Sequence, residues 1–272
     1  MNGNTGKMIN VDLGNGGVEI ETLPEEYYTK YIGGSGLAAK LFWERGDFAA
    51  DPLAPEAMLI FANGPFAGLK LSGASRNSVA GRSPLTGNWG DSSCGGYFAP
   101  ELRYAGYDGI IINGRATQPA MLLIEDDKIK ILSALEYWGK GTEEVNRAIK
   151  DKYGKNYRTL IIGPAGENLV KYAIILNEGH HAFGRAGFGA VMGSKNLKAI
   201  IVKASAKNMK LADPEKFEEL RAELNPKIKD ALASDVMREN GTAANLEGGV
   251  VSGDVPIRNF TSNYWEEMGQ EL

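Results

Sequence analysis

Two well-separated stretches of this chain share one order of elements, and that repetition limits the fold more than any other feature. The first runs Leu59-Ile60-Phe61-Ala62-Asn63-Gly64-Pro65, continues from Arg76 to Tyr107, and enters Gly109-Ile110-Ile111-Ile112. The second runs Leu160-Ile161-Ile162-Gly163-Pro164-Ala165-Gly166, continues from Asn177 to Gly189, passes a short helical run from Ala190 to Leu197, and enters Ala199-Ile200-Ile201-Val202. Each reads as apolar strand, Gly-Pro turn, loop bearing glycine and arginine, short helix, apolar strand. Such self-similarity suggests an internal duplication. Chance likeness between glycine-rich segments is the competing reading.

The loops carry the chemical interest. In the first, Arg76 and Arg82 bracket Asn77-Ser78-Val79-Ala80, read as a short strand. Ser83-Pro84-Leu85-Thr86-Gly87 then makes a tight turn. A small-residue loop, Gly90 to Gly96, runs into a helical pattern over Tyr97 to Tyr104. Small residues let backbone approach a ligand closely. Free N–H groups at a helix start suit an anion, and arginines add bidentate recognition of phosphate or carboxylate. The duplicated pair reads as a surface that grips a large, two-part phosphorylated ligand from both ends; a plain glycine-rich turn with surface arginines is the alternative.

Composition narrows the setting. The chain has 272 residues, 43% hydrophobic, enough for one large or two small domains with a real core. Its net charge of −4 offers no basic face for nucleic acid. Cys94 is the single cysteine, so neither a disulfide framework nor a cysteine-ligated cluster fits within these residues. The N-terminus lacks a signal-peptide pattern, and no apolar run approaches the roughly 18–20 residues of a membrane span. A soluble, cytoplasmic protein is expected.

Elsewhere, Met8–Leu13 and Val18–Ile20 flank Gly14-Asn15-Gly16-Gly17 as a β-hairpin, and Pro24 opens a helix over Glu25–Ile32. Gly34-Ser35-Gly36-Leu37-Ala38-Ala39 fits the dinucleotide pattern G-x-G-x-x-A, but it follows a helix rather than a strand and is read as a helix–helix joint before Leu37–Glu44. Strands are expected at Met58–Asn63, Asp108–Asn113 and Leu169–Leu176, and a hairpin at Ala120–Glu125 and Lys128–Leu132. Thr142 is expected to cap a helix over Glu143–Tyr153. The character changes near residue 210. Asp213-Pro214-Glu215 starts a helix with Phe217, Leu220, Leu224, Ile228 and Leu232 on one face, which Pro226 should kink or break. Beyond Asn240 the chain reads as irregular, and its last dozen residues, with Trp265 and several acids, show no clear element. The domain expectation is 1–210, with 211–272 an incomplete second domain.

No complete acid–base constellation is present. His180 and His181 are the only histidines. Neighbours on a strand point to opposite faces, so a phosphate contact from His181 is preferred to a metal pair. Cys94 near a helix start would have a lowered pKa and nucleophilic character, yet a small residue packed beneath a ligand is the simpler reading. Asp91 serves a ligand or caps the helix.

Five motifs in order, Ser83-Pro84-Leu85-Thr86-Gly87, Gly95-Gly96-Tyr97-Phe98, Ala105-Gly106-Tyr107-Asp108, Gly163-Pro164-Ala165-Gly166-Glu167-Asn168-Leu169 and Gly189-Ala190-Val191-Met192-Gly193-Ser194-Lys195-Asn196-Leu197-Lys198-Ala199, resemble the N-terminal domain of the tungsten-dependent aldehyde:ferredoxin oxidoreductases. The likeness covers roughly residues 1–210, and Asp213–Phe260 resembles the start of that family's second domain more weakly. The resemblance implies an α+β fold: an internally duplicated, β-rich platform followed by the short helical start of a second domain. It implies a bis-pterin cofactor holding tungsten, or molybdenum, with magnesium bridging the two pterin phosphates.

The implied cofactor-binding positions are Arg76, Ser93, Gly95, His181, Ala182, Gly184 and Arg185, with the backbone carbonyls of Ser93 and Ala182 as magnesium contacts. Ser93 stands where the family often has asparagine, and His181 where it often has arginine. A carbonyl contact survives the first change; the second removes a fixed positive charge. No catalytic residue is assigned. The family's C-x-x-C-x-x-x-C motif and its substrate acid and histidine are expected beyond residue 272, so a [4Fe–4S] cluster and turnover require the missing domains or a separate subunit. An excised domain, a split subunit and an incomplete gene product all fit, as does a homo-oligomer. Three functions follow: the cofactor-bearing part of an enzyme oxidising aldehydes to carboxylic acids with ferredoxin as acceptor; a non-catalytic cofactor-binding or docking module; or part of a tungsten subunit acting on aromatic acyl thioesters.

Overall fold

Apolar residues spaced two apart build two sheets, and the sheets repeat each other. In the first half, β1 (Lys7–Asp12) and β2 (Gly17–Thr22) form a hairpin, followed by α1 (Glu25–Tyr31) and α2 (Gly34–Arg45). Antiparallel strands β3 (Leu59–Asn63), β4 (Asn77–Arg82) and β5 (Trp89–Cys94) come next, then α3 (Phe98–Tyr104) and β6 (Gly109–Asn113). The second half gives the hairpin β7 (Ala120–Glu125) and β8 (Lys128–Ser133), then α4 (Thr142–Tyr153). Strand β9 (Arg158–Ile161) leads through the short α5 (Pro164–Glu167) to β10 (Ile175–Asn177) and β11 (His181–Phe183). Helix α6 (Phe188–Ser194) and strand β12 (Leu197–Lys203) close it. The structure, a computed structural model, describes residues 2–265.

The sheet orders are β2-β1-β6-β3-β4-β5 and β8-β7-β12-β9-β10-β11. Adding six to each strand of the first gives the second. The directions agree as well: β6 runs parallel to β1, β12 parallel to β7, and every other pairing is antiparallel. The duplication is therefore one of topology, and the fold is α+β.

Period-two alternation sorts the side chains into layers. Ile9, Val11, Leu59, Phe61, Val79, Ile110 and Ile112 of the first sheet meet Leu122, Ile124, Leu160, Ile175, Phe183, Ile200 and Val202 of the second in one core. Phe61 and Phe183 touch edge-to-face, centroids 6.0 Å apart. The outer face of the first sheet takes Leu37, Ala38, Leu41 and Phe42 of α2. The outer face of the second takes Val145 and Ile149 of α4. Strands covered on both sides read as unbroken apolar runs, as Ile110-Ile111-Ile112 does. The connecting helices cross over: α3 contacts β9 and β12, and α6 contacts β3 and β4.

Several expectations need correcting. Gly90–Gly96 is not a loop for most of its length, since Trp89–Cys94 pairs antiparallel with β4; backbone pairing overrides the poor strand propensity of glycine, serine and aspartate. The second loop likewise contains β11. Of Leu169–Leu176 only the last two residues are strand, because Leu169 sits at φ 57° and Val170–Ala173 turn back. Gly141, not Thr142, is the N-cap of α4. The G-x-G-x-x-A run is the first turn of α2, directly after α1.

The contact pattern divides the chain after Ala212. The second unit holds α7 (Pro214–Lys229), α8 (Leu232–Glu239), a 3-10 turn over Gly241–Asn245 and α9 (Leu246–Ser252). Asp213 caps α7 by accepting the Lys216 N–H at 2.9 Å. Helix α7 continues one turn past Pro226, and Leu232 belongs to α8. Beyond Asn240 the chain is helical as far as Ser252, and residues 253–265 are irregular, as expected. None of the described residues of this unit is buried. The acidic end, 266–272, lies outside the described residues.

A Cβ at Gly193 of α6 would overlap the Gly166 carbonyl of α5, and one at Gly166 would lie 2.8 Å from the Gly189 carbonyl. Gly193→Ala is expected to cost about 1–3 kcal/mol by overpacking, read from urea unfolding. Gly184→Ala, with open space around its Cβ, should leave the midpoint unchanged.

Candidate functional site

β5 and β11 are the outer strands of their sheets, and they lie side by side without joining into one ladder. A sheet edge presents unpaired backbone groups, so this seam between the halves offers two such rows on one surface. Direct bonds hold it. Asn177 Nδ2 donates to the Gly95 carbonyl at 2.6 Å, and the Arg185 N–H donates to Ser92 Oγ at 3.2 Å. Close approach requires glycine: a Cβ at Gly96 would sit 2.5 Å from Asn177 Nδ2 and 2.8 Å from His181 Cδ2, and Gly96 is at φ 96°. A Cβ at Gly90 would sit 2.9 Å from the Ala186 Cβ.

A buried polar frame fixes the first half of the seam. Asp108 accepts N–H groups from Thr5 and Gly6 and pairs with Arg103 at 2.7 Å, both side chains being almost fully buried. Burial pulls the Arg103 guanidinium pKa down, and Asp108 opposes that. Arg103 also donates to the Gly64 carbonyl at 3.0 Å, and the Gly64 N–H donates to the Arg76 carbonyl at 3.0 Å. Beside it, Asn77 Nδ2 donates to Asn63 Oδ1, and Asn63 Nδ2 to the Ala99 carbonyl. Arg76 is thus an exposed side chain on a rigid, buried footing.

The sequence-predicted residues all belong to this seam. Ser93 lies in β5 and Gly95 directly after it. His181 and Ala182 lie in β11, with Gly184 and Arg185 after it. All except the half-buried Gly95 are exposed. Gly95 and His181 are neighbours, since a Cβ on the glycine would stand 4.0 Å from His181 Nδ1. Among the described residues no group of three His, Cys, Asp or Glu could hold a metal ion. Asp91 caps no helix; it lies in β5 and accepts the Ser35 hydroxyl at 2.6 Å.

Cys94 corrects an expectation. Its thiol is buried, not activated: desolvation pushes its pKa up to about 11, against weaker opposite effects of Asn177 and the Arg76 charge. Its Sγ donates to the Gly95 carbonyl at 3.2 Å. It packs beneath the seam as a small apolar residue.

Asn77 Oδ1 and Asn177 Oδ1 are buried without partners next to the edge strands; as acceptors they suit a donor and not an anion. The arginines are what point to an anionic ligand. Of the eight arginines in the first unit, Arg45, Arg82, Arg103, Arg115, Arg147 and Arg158 each bond a carboxylate or a carbonyl. Of these eight, only the Arg76 and Arg185 guanidiniums have no partner, and both stand at the seam. Two clefts of about 610 Å³ lie elsewhere, one lined by Asp12, Glu19, Glu56 and Arg45 and the other by Glu101, Glu125, Asp126 and Asp127 with Lys128, Lys203 and Lys207; both mix the two signs of charge. Sequence reasoning missed Asn77, Asn177, Arg103 and Arg158. An asparagine at the border of each glycine/arginine stretch was the available signal for the first two.

Gly96→Ala should displace Asn177 and His181 and cost about 1–3 kcal/mol, seen as a lower unfolding midpoint and as loss of protection at the Arg185 amide. A thiol pKa raised from near 9 to about 11 leaves roughly a hundredfold less thiolate at pH 8. Iodoacetamide should therefore modify Cys94 at least that much more slowly in the native chain than in urea.

The profile of the aldehyde ferredoxin oxidoreductase N-terminal domain matches residues 8–204. The tungsten-containing aldehyde ferredoxin oxidoreductase of Pyrococcus furiosus is 41% identical over all of this chain, and that of Thermococcus kodakarensis 42%. The WOR-like subunit of an aliphatic sulfonate oxidoreductase from Pyrococcus furiosus is 36% identical over 95% of the chain. The chain spans 46%, 45% and 43% of the lengths of these relatives. Among solved structures, the active-site complex BamBC of benzoyl coenzyme A reductase, in complex with 1,5-dienoyl-CoA, superposes on 84% of this chain and 35% of its own, with a TM-score of 0.81 and 38% identity.

Proposed function

Because the chain belongs to the aldehyde ferredoxin oxidoreductase family, we propose that its first unit is a platform for a tungsten-bearing bis-pterin, working within an oxidoreductase that converts aldehydes to carboxylic acids. One observation carries this reading: the two arginines without internal partners stand at the junction of two duplicated half-sites. Arg76 and Arg185 are free to donate charge-assisted hydrogen bonds to one pterin phosphate each. Gly95 and Gly184 let backbone approach the ligand. The carbonyls of Ser93 and Ala182, on the two exposed edge strands, would be the protein's contacts to a magnesium ion bridging the phosphates, a hard cation that prefers oxygen ligands. His181 takes the second phosphate contact as a hydrogen-bond donor. The buried Cys94 and the acceptor atoms of Asn77 and Asn177 shape the floor.

When bound, the metal supplies the two-electron redox step, and ferredoxin receives the electrons. The residues of this chain bind and orient the cofactor and contribute no acid or base of their own. A [4Fe–4S] cluster would have to be held by sequence other than these 272 residues, which contain one cysteine. The likeness to BamBC supports a second reading, a tungsten subunit acting on an aromatic acyl thioester. Metal and pterin analysis of protein purified without oxygen together with the missing domains or subunit, followed by turnover with aldehydes and with aromatic acyl thioesters, separates the two.

Arg76→Ala is expected to weaken cofactor retention by about 1.5–3 kcal/mol, the range for hydrogen bonds to charged groups. His181→Arg should preserve or strengthen it by restoring a fixed cation. The measurement is pterin content after anaerobic reconstitution with the complementary domains. Unchanged content in a folded Arg76→Ala protein would remove this loop as a phosphate grip.

A further inference from the structure

One arginine of the first unit is partnered in an unusual way. Arg158, the first residue of β9, donates from Nη1 to Glu178 Oε1 at 2.9 Å, and its guanidinium carbon lies 4.9 Å from the centre of the Tyr97 ring. Tyr97 directly follows the Gly95-Gly96 bend of the first half. Glu178 directly follows Asn177 and precedes the turn into His181 in the second half. One side chain therefore joins the two segments that border the seam.

The Glu178 end is held firmly. Its carboxylate is buried and also lies 3.6 Å from Lys150 Nζ. Its backbone is left-handed at φ 54°, a conformation unfavourable for a residue with a Cβ. Its N–H donates to the Thr159 carbonyl at 3.1 Å, next to Arg158 itself. The chemistry favours arginine over lysine. A planar guanidinium can stack on an aromatic face while its N–H fork still meets a carboxylate.

We propose that Arg158 is a positioning residue for the ligand grip: stacked on Tyr97 and paired with Glu178, it sets the spacing at which the Gly95-Gly96 bend and the His181–Arg185 segment reach one ligand together. The role rests on the cofactor-platform reading above. Arg158 acts on the ligand through these two segments and not by touching it.

The test uses protein purified without oxygen and followed two ways: release of pterin from the loaded form, and amide exchange of segments 93–98 and 177–185 in the empty form, with melting temperature as control. Tyr97→Phe keeps the ring face and should behave as the parent. Tyr97→Leu and Arg158→Lys should each speed pterin release by about tenfold, the scale of one lost cation–π contact. In both, exchange should quicken in the two segments together while the melting temperature holds. Exchange that quickens only beside the substituted residue, or everywhere with a falling melting temperature, overturns the proposal. So does unaltered release in both variants while Arg76→Ala still sheds pterin. If Arg76→Ala keeps its pterin, the cofactor reading is what falls. The latch then stands or falls on whether exchange quickens across the seam.

Discussion

The close approach of two sheet edges governs this fold. Each six-stranded sheet ends in a strand, β5 or β11, whose outer backbone groups need cover. Here the two edges do not pair with each other. They are brought alongside each other, with an asparagine amide bonded to a carbonyl across the gap at 2.6 Å. Side-chain bulk limits such an approach, so Gly90 and Gly96 stand where a Cβ would meet Ala186, Asn177 or His181. The crossing helices follow from the same arrangement. Each edge strand hands its chain to a helix that packs on the other half, which buries Phe98, Leu102, Phe188 and Val191 in the shared core.

Much of what carries the family resemblance is buried framework, not site. Lys198 is fully buried and paired with Glu167, which joins α5 to β12. Lys195, also fully buried, donates to the carbonyls of Pro55 and Gly114 at 3.0 and 3.2 Å; burial, helped by the Arg115 charge, pulls its pKa down to about 8 against the opposing pull of Glu56 and Asp12. Asp108 of the Ala-Gly-Tyr-Asp motif anchors Arg103 and the N-terminal strand. Removing one member of such a pair strands a buried charge and is far costlier than replacing both. Lys195 ties the second half to the first, and the other two pairs each brace one half.

The strands that were legible in the sequence are those whose identity comes from burial. Ile110-Ile111-Ile112 and Ile200-Ile201-Val202 are covered on both faces, and their apolar runs say so. The edge strands were not legible, because they carry the surface on which a ligand would lie. Asp91-Ser92-Ser93-Cys94 and His181-Ala182-Phe183 have the composition of loops, and only pairing with β4 and β10 makes them strands. The glycines and arginines of the seam could be read as a ligand surface from residue type alone. The asparagines and Arg158 could not, since their meaning lies in partners far away in sequence. The apolar stripe of α7 was read correctly as helical. Its division at Leu232 reflects the chain turning at Asp230 and Ala231, which the stripe does not encode.

The charge arrangement at the seam completes the argument. In a chain of net charge −4, six of the first unit's arginines have an internal carboxylate or carbonyl partner, and Asp91, a carboxylate of β5, is engaged by Ser35. A ligand phosphate arriving at Arg76 or Arg185 therefore has no internal ion pair to break. Two such donors on opposite halves favour a ligand with two anionic ends, because binding the first end presents the second at high effective concentration. The converse also holds. A ligand bonded to both halves stabilises only the arrangement in which the halves are correctly spaced, so the same contacts that retain it tighten a seam otherwise held by an amide, a backbone N–H and one stacked guanidinium.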